Sequence, residues 1–125
     1  MLANRALRCA AAFGAGALAN FSILYRFLSY TERNHLPAST FWLFSGACFL
    51  IGFAVTFGTV SRPFRLANWV LFGVIVAQMM VIWFDWQKDP TDHNLLPFEL
   101  IFFWVLASPA YLGAAASRIL ATAKR

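Results

Sequence analysis

The stretch STFWLFSGACFLIGFAVTFGTV, residues 39–60, contains no charged side chain. A helix of about 20 apolar residues is long enough to cross a bilayer. Three other segments are similar, so the predicted spans are residues 9–30, 39–60, 66–85 and 96–119. None alternates polar and apolar residues, and backbone groups in lipid must pair internally. We therefore predict a single-domain, all-α integral membrane protein, residues 1–125, whose four transmembrane helices form an up-down antiparallel bundle.

The composition of the chain supports lipid as its solvent. Of the 125 residues, 61% are hydrophobic and only 12% are charged, and 14 are Phe. Soluble domains are about half apolar and one quarter charged. A soluble domain this small has too little interior to bury so much apolar surface. The net charge of +5 does not predict nucleic-acid binding, because the basic residues form no patch with interleaved aromatic residues.

The distribution of charge predicts the orientation of the bundle. With four spans, both termini share a side with the loop between the second and third helices. That side holds seven of the ten Lys and Arg residues: Arg5, Arg8, Arg62, Arg65, Arg118, Lys124 and Arg125. The positive-inside rule places this side in the cytoplasm of a bacterium, or in the equivalent compartment of an organelle. The other side carries all five acidic residues: Glu32, Asp85, Asp89, Asp92 and Glu99.

The first segment also resembles a secretory signal. Arg5 and Arg8 precede an Ala-rich stretch, and Ala17-Leu18-Ala19 has the pattern of a cleavage site. We expect that this segment is retained as the first membrane helix, and its cleavage as a signal is the alternative.

Three polar residues lie near the middle of their spans: Asn20, Gln78 and Ser108. A polar group facing hydrocarbon costs several kcal/mol, so each should point into the bundle. Interhelical hydrogen bonding is the simpler interpretation, and a polar path for a ligand is the alternative. Pro109 removes a backbone donor in the middle of the fourth helix, so we also predict a kink there.

The stretch DWQKDPTDHNLLPFE, residues 85–99, concentrates acidic side chains on the predicted outer face. Much of it suits a loop and the first turn of the fourth helix, where Glu99 complements the helix dipole. Arg26 lies inside the first span, about one turn before its outer end. Snorkelling to the interface would satisfy its charge, and a salt bridge to Asp85 or Glu99 would do so better. The predicted outer cluster, with packing or ligand binding as its role, is Arg26, Asp85, Glu99, Asp92 and His93.

A metal ion is a weaker hypothesis for the outer loops. Oxygen and imidazole ligands could come from Asp89, Asp92 and His93, with His35 reaching over from the first loop. Their spacing matches no established metal motif. Haem ligation by His35 and His93 is a further alternative, but no cofactor is predicted.

The sequence contains no recognisable arrangement of a nucleophile with a general base, and no phosphate-binding glycine loop. We therefore expect a non-enzymatic protein. The first expectation is an accessory or assembly subunit of a larger membrane complex, in contact with lipid and with other membrane subunits or copies of itself. The alternative is a small homo-oligomeric transporter or channel. It would use the mid-span polar residues and an acidic outer vestibule.

Overall fold

A computed structural model gives the structure of residues 2–25, 30–33, 35–58, 62–91, 93 and 96–123. All regular elements within these residues are helical. They are α1 (Leu2–Ala19), a π-helical segment (Asn20–Tyr25), α2 (Tyr30–Arg33), α3 (Ala38–Thr56), α4 (Pro63–Lys88), α5 (Leu96–Ala107) and α6 (Pro109–Ala123).

Within the described residues, four helices are long and apolar enough to cross a membrane, which confirms the prediction of a helical chain with four membrane-length segments. They cover Asn4–Tyr25, Ala38–Thr56, Phe64–Lys88 and Leu96–Ala123. Many of their large apolar side chains face outward, as lipid-facing surfaces require, among them Leu18, Trp42, Leu50, Trp83, Phe98, Val105 and Leu112.

Local chemistry explains where the helices end. Helix α3 stops at Thr56, short of the predicted residue 60, because Gly58 follows in the left-handed region with φ of 73°. Pro63 forms the first turn of α4, which therefore starts before the predicted residue 66. This helix continues to Lys88, past the predicted residue 85. It ends there because Asp89 precedes Pro90 and is extended.

Two of the four spans are interrupted. The first changes from α-helical to π-helical at Asn20, a wider turn that is often found at functional sites. The fourth, predicted as one kinked helix, is divided at Ser108, because the following proline disfavours helical geometry at that residue. The Ser108 hydroxyl donates to the carbonyl oxygen of Val105 over 2.6 Å.

Glycines bring pairs of helices into backbone contact. Gly16 lies against Val70, which joins α1 to α4, and Gly52 lies against Ala110, which joins α3 to α6. The pairs α1–α4 and α3–α6 have the most extensive contacts among the described elements. Small interface residues are what membrane helices need for close approach, because lipid removes most of the hydrophobic drive for association.

We expect Gly113→Ala to destabilise the bundle by about 1–3 kcal/mol. A Cβ at this position would collide with the carbonyl oxygen of Phe49 on α3. The matched control is Gly46→Ala, because a Cβ at Gly46 meets no atom within 4 Å. That change should be neutral or stabilising through helix propensity. Unfolding in mixed detergent micelles measures both variants, and equal stabilities would contradict the packing interpretation.

Candidate functional site

Side chains from four parts of the chain meet at one end of the bundle, which we call the acidic end. Asp85 belongs to the last turn of α4, and Arg33 ends α2. His93 lies in the connection from α4 to α5, and Glu99 lies in the first turn of α5. The fold thus brings two acids, a cation and an imidazole together around one point.

Asp85 is the centre of this group and is only 4% exposed. Its Oδ2 atom is paired with Arg33 and also lies 2.7 Å from His93 Nε2. The guanidinium of Arg33 also lies over the ring of Tyr25, 4.9 Å from the ring centre. A cation is attracted to the face of an aromatic ring, so Tyr25 helps to hold Arg33 toward Asp85.

His93 connects the two carboxylates. Its Nδ1 atom lies 2.6 Å from Glu99 Oε2, while Nε2 faces Asp85. The backbone of His93 is left-handed, with φ of 61°, a conformation that histidine accepts more readily than most residues. Each ring contact to a carboxylate oxygen needs a proton, either on the imidazole or on the carboxyl group.

Two protons are therefore shared within the Asp85–His93–Glu99 triad. An imidazolium between two carboxylates, or a neutral imidazole with one protonated carboxyl, gives the same net charge of minus one. Arg33 supplies the balancing positive charge, so these four side chains are electrically neutral as a group. Neutrality matters here because an uncompensated charge is costly in a buried site.

A hydrogen-bonded chain runs from the triad toward the middle of the bundle. Gln78 Nε2 donates to Glu99 Oε1 over 2.8 Å. Asn20 Nδ2 donates to Gln78 Oε1 over 3.4 Å and to the carbonyl oxygen of Val74 over 3.0 Å. The sequence predicted Asn20 and Gln78 as mid-span polar residues that point inward. Both are buried, and the chain links them to the acidic end.

Asn20 contains one polar atom without a partner. Its side chain is fully buried, and among the described residues nothing donates a hydrogen bond to its Oδ1 atom. The amide nitrogen faces two acceptors, which determines which side of the amide is the oxygen. A buried acceptor without a donor is costly, so Oδ1 is the natural contact for a hydroxyl, an ammonium group or water.

A cavity of about 350 Å³ joins these groups. Its wall is mainly apolar and aromatic, with polar groups at a few points. The lining residues are Asn20, Leu24, Tyr25, Arg33, Leu36, Phe41, Gln78, Val81, His93, Phe98, Glu99, Phe102 and Phe103. A cavity of this size with convergent polar groups is typical of a small-molecule site.

The predicted outer cluster is brought together in part. Asp85, His93 and Glu99 are in contact, whereas Arg26 and Asp92 lie outside the residues that the structure describes. Arg33 pairs with Asp85, a role that the sequence assigned to Arg26. Nothing in the sequence links positions 33 and 85, because the pairing arises only when α2 is placed beside α4. Ser108 bonds to its own helix and does not line the cavity.

Asp92 lies outside the described residues, and the other residues proposed as metal ligands do not form a metal site. Asp89 is exposed and accepts hydrogen bonds from the Thr91 hydroxyl and backbone N–H. Both hydrogen bonds lower the pKa of Asp89, and the bond from the hydroxyl has the larger effect. His35 is exposed, and His93 faces two carboxylates. Among the described residues, no group of three or more His, Cys, Asp and Glu side chains is placed to hold a metal ion.

Comparison with known proteins adds no further assignment. No protein-family model, no curated protein and no solved structure matches this chain. Function is therefore argued from the geometry of the site.

Proposed function

We propose that this protein is a small, non-enzymatic membrane transporter that binds an amphipathic solute in the cavity at the acidic end. The observation that carries the proposal is a cavity of about 350 Å³ lined by Asn20, whose buried Oδ1 atom has no hydrogen-bond partner among the described residues. A polar group in this position is stabilised when a ligand supplies the missing donor. The cavity is lined by a single chain, so binding does not require a second copy.

The proposed topology is up-down, with both termini in the cytoplasm of a bacterial inner membrane. Cross-helix contacts support the alternation of direction. Arg8, early in α1, bonds to the carbonyl oxygen of Phe57 beyond the end of α3, so α1 and α3 run in opposite directions. Gly16 contacts Val70 and Asn20 bonds to Val74, so α1 and α4 run in the same direction. The positive-inside rule supports the orientation, and it places the acidic end outside.

An outward-open state is part of the proposal. The cavity reaches Asn20 from the acidic end, and the glycine contacts of Gly16 with Val70 and of Gly52 with Ala110 hold the helices together. Transporter sites lie near the middle of the membrane and are often formed by interrupted helices. The breaks at Asn20 and Ser108 provide points about which the two halves of a span could move.

The lining chemistry suggests the class of solute. Aromatic rings, among them Phe41 and Phe103, suit an apolar body, and Asn20 Oδ1 suits a hydroxyl or amine on that body. The balanced charge of Arg33 and the triad gives no strong preference for a free anion or cation. The expected solute is therefore a small, largely apolar molecule with one hydrogen-bond donor.

Cysteine accessibility tests the cavity directly. In a background without the free thiols Cys9 and Cys48, a membrane-impermeant thiol reagent added outside should label Leu24→Cys and leave Leu71→Cys unlabelled. Both leucines are almost fully buried, but only Leu24 lines the cavity. Of these two positions, therefore, only position 24 should be reached by water and by the reagent. Labelling is measured by mass spectrometry on intact membrane vesicles.

The pair of variants distinguishes the outcomes. Equal labelling at both positions would indicate general loosening of the bundle, and no labelling at Leu24→Cys would refute an outward-open cavity. Candidate solutes can then be screened by their protection of Leu24→Cys from the reagent, followed by uptake into proteoliposomes.

An accessory subunit is the second proposal. Exposed large side chains on α3, Trp42 and Leu50 among them, could contact partner helices as well as lipid. This proposal predicts that a defined membrane partner remains bound through purification in mild detergent. Recovery of a single species whose melting temperature rises with a small solute would favour the transporter.

A further inference from the structure

A second surface lies at the opposite end of the bundle, where Arg5 and Arg8 of α1 meet Arg65 of α4. All three arginines are exposed, and they line two adjoining grooves. No acidic side chain lines either groove within the described part of the chain. We call this surface the arginine end. Its local charge is positive, so it attracts an anion.

One arginine is fixed in place by the fold. Arg8 Nη1 donates to the carbonyl oxygens of Val55 and Phe57, over 3.2 Å and 3.1 Å, near the end of α3. Cations favour the last turn of a helix, where carbonyl groups lack backbone partners. Arg8 therefore ties α1 to α3, while Arg5 and Arg65 border both grooves.

The larger groove, about 670 Å³, continues from the arginines along an apolar surface between α1 and α4. Its walls are Ala6, Ala10, Phe13 and Trp69, and the last two rings meet edge to face with centres 6.4 Å apart. The two small side chains leave a shallow channel beside the rings. Beyond them, Gly16 contacts Val70, where the helices come together and the space between them closes.

We infer that the arginine end is a binding site for an anionic phospholipid. The phosphate would lie between Arg5 and Arg65, and one acyl chain would follow the groove past Ala10 to Trp69. A free phosphate would contact the arginines alone, whereas the adjoining apolar groove suits a molecule that has both a phosphate and an acyl chain. With the termini in the cytoplasm, this site faces the leaflet surface where anionic lipids attract basic residues. The inference does not depend on the proposed transport function.

Fluorescence quenching by lipids with brominated acyl chains tests the site. Delipidated protein in detergent is titrated with brominated phosphatidylglycerol and, separately, with brominated phosphatidylcholine. The chain has five tryptophans, so Trp69→Phe identifies the part of the signal that comes from the groove. We expect tighter binding of phosphatidylglycerol, by about fivefold for each arginine that contacts the phosphate.

The matched variants are Arg5→Gln with Arg65→Gln, and Arg62→Gln as a control. All three positions are exposed, but Arg62 lines neither groove. The double variant should bind the two lipids equally, and the control should keep the preference. Equal affinities in the unmodified protein, the same loss in Arg62→Gln, or quenching that persists unchanged in Trp69→Phe would each overturn the site. Displacement of phosphatidylglycerol by millimolar inorganic phosphate would overturn the role of the acyl groove.

Discussion

Replacing Asp85 by Asn is expected to lower the free energy of unfolding by about 3–5 kcal/mol, because Arg33, whose side chain is mostly buried, then loses its charged partner. Arg33 and His93 both contact the same oxygen of Asp85, which is almost fully buried. The control is Asp89→Asn, which removes an exposed carboxylate at the end of the same helix and should change stability by about 0.5 kcal/mol or less. Equilibrium unfolding in mixed micelles measures both variants.

A double variant separates the ion pair from general effects. If Arg33 and Asp85 act together, Asp85→Asn combined with Arg33→Gln should be less destabilised than the sum of the two single changes. Additive losses would mean that the Asp85 carboxylate is needed for some other reason, such as its contact with His93.

Replacing His93 by Asn should destabilise the protein by about 3 kcal/mol, since two hydrogen bonds that involve charged groups are lost together. Asn accepts a positive φ, so the backbone conformation at this position is retained and the imidazole alone is removed. The shorter side chain cannot reach Asp85 and Glu99 at once. The same measurement on His35→Asn, where the histidine is exposed, should show little change.

Accessibility of Leu24→Cys extends this prediction to the cavity. Loss of His93 frees Glu99, which bonds to Gln78 and through it to Asn20. The thiol reagent should therefore label Leu24→Cys faster when the protein also carries His93→Asn. An unchanged labelling rate together with an unchanged stability would remove His93 from the site. An unchanged rate with lower stability would limit its role to packing at the acidic end.

Several features of the fold were predictable because their causes are local. Apolar composition over each span determines that a segment is a membrane helix, and the break at Ser108 follows from the proline after it. The end of α4 was predicted at residue 85, although Asp89 before Pro90 is a local signal for the observed end at Lys88. The early end of α3 at Thr56 was missed, although Gly58 was a visible signal for it. The π-helical segment at Asn20 has no clear signal in the sequence.

The candidate site was predictable only in outline. Asp85, His93 and Glu99 stood out because charged residues next to apolar spans need partners. Their mutual geometry depends on the loop after α4 turning His93 back toward both acids. The bond between Gln78 and Glu99 also joins positions that the sequence treated separately, one as a mid-span residue and one as an outer residue.

The sequence by itself determined that this protein has four membrane-length helices and that its acids and most of its basic residues lie near opposite ends of those segments. These properties depend on the composition of single segments, and the free energy of transfer into lipid acts on each segment separately. Only the tertiary structure decided that Arg33 pairs with Asp85, that Asn20 has an oxygen without a partner among the described residues, and that Asn20 lines a cavity. Those features depend on how helices pack, and packing is decided by backbone contacts such as Gly16 with Val70, between residues far apart in the chain.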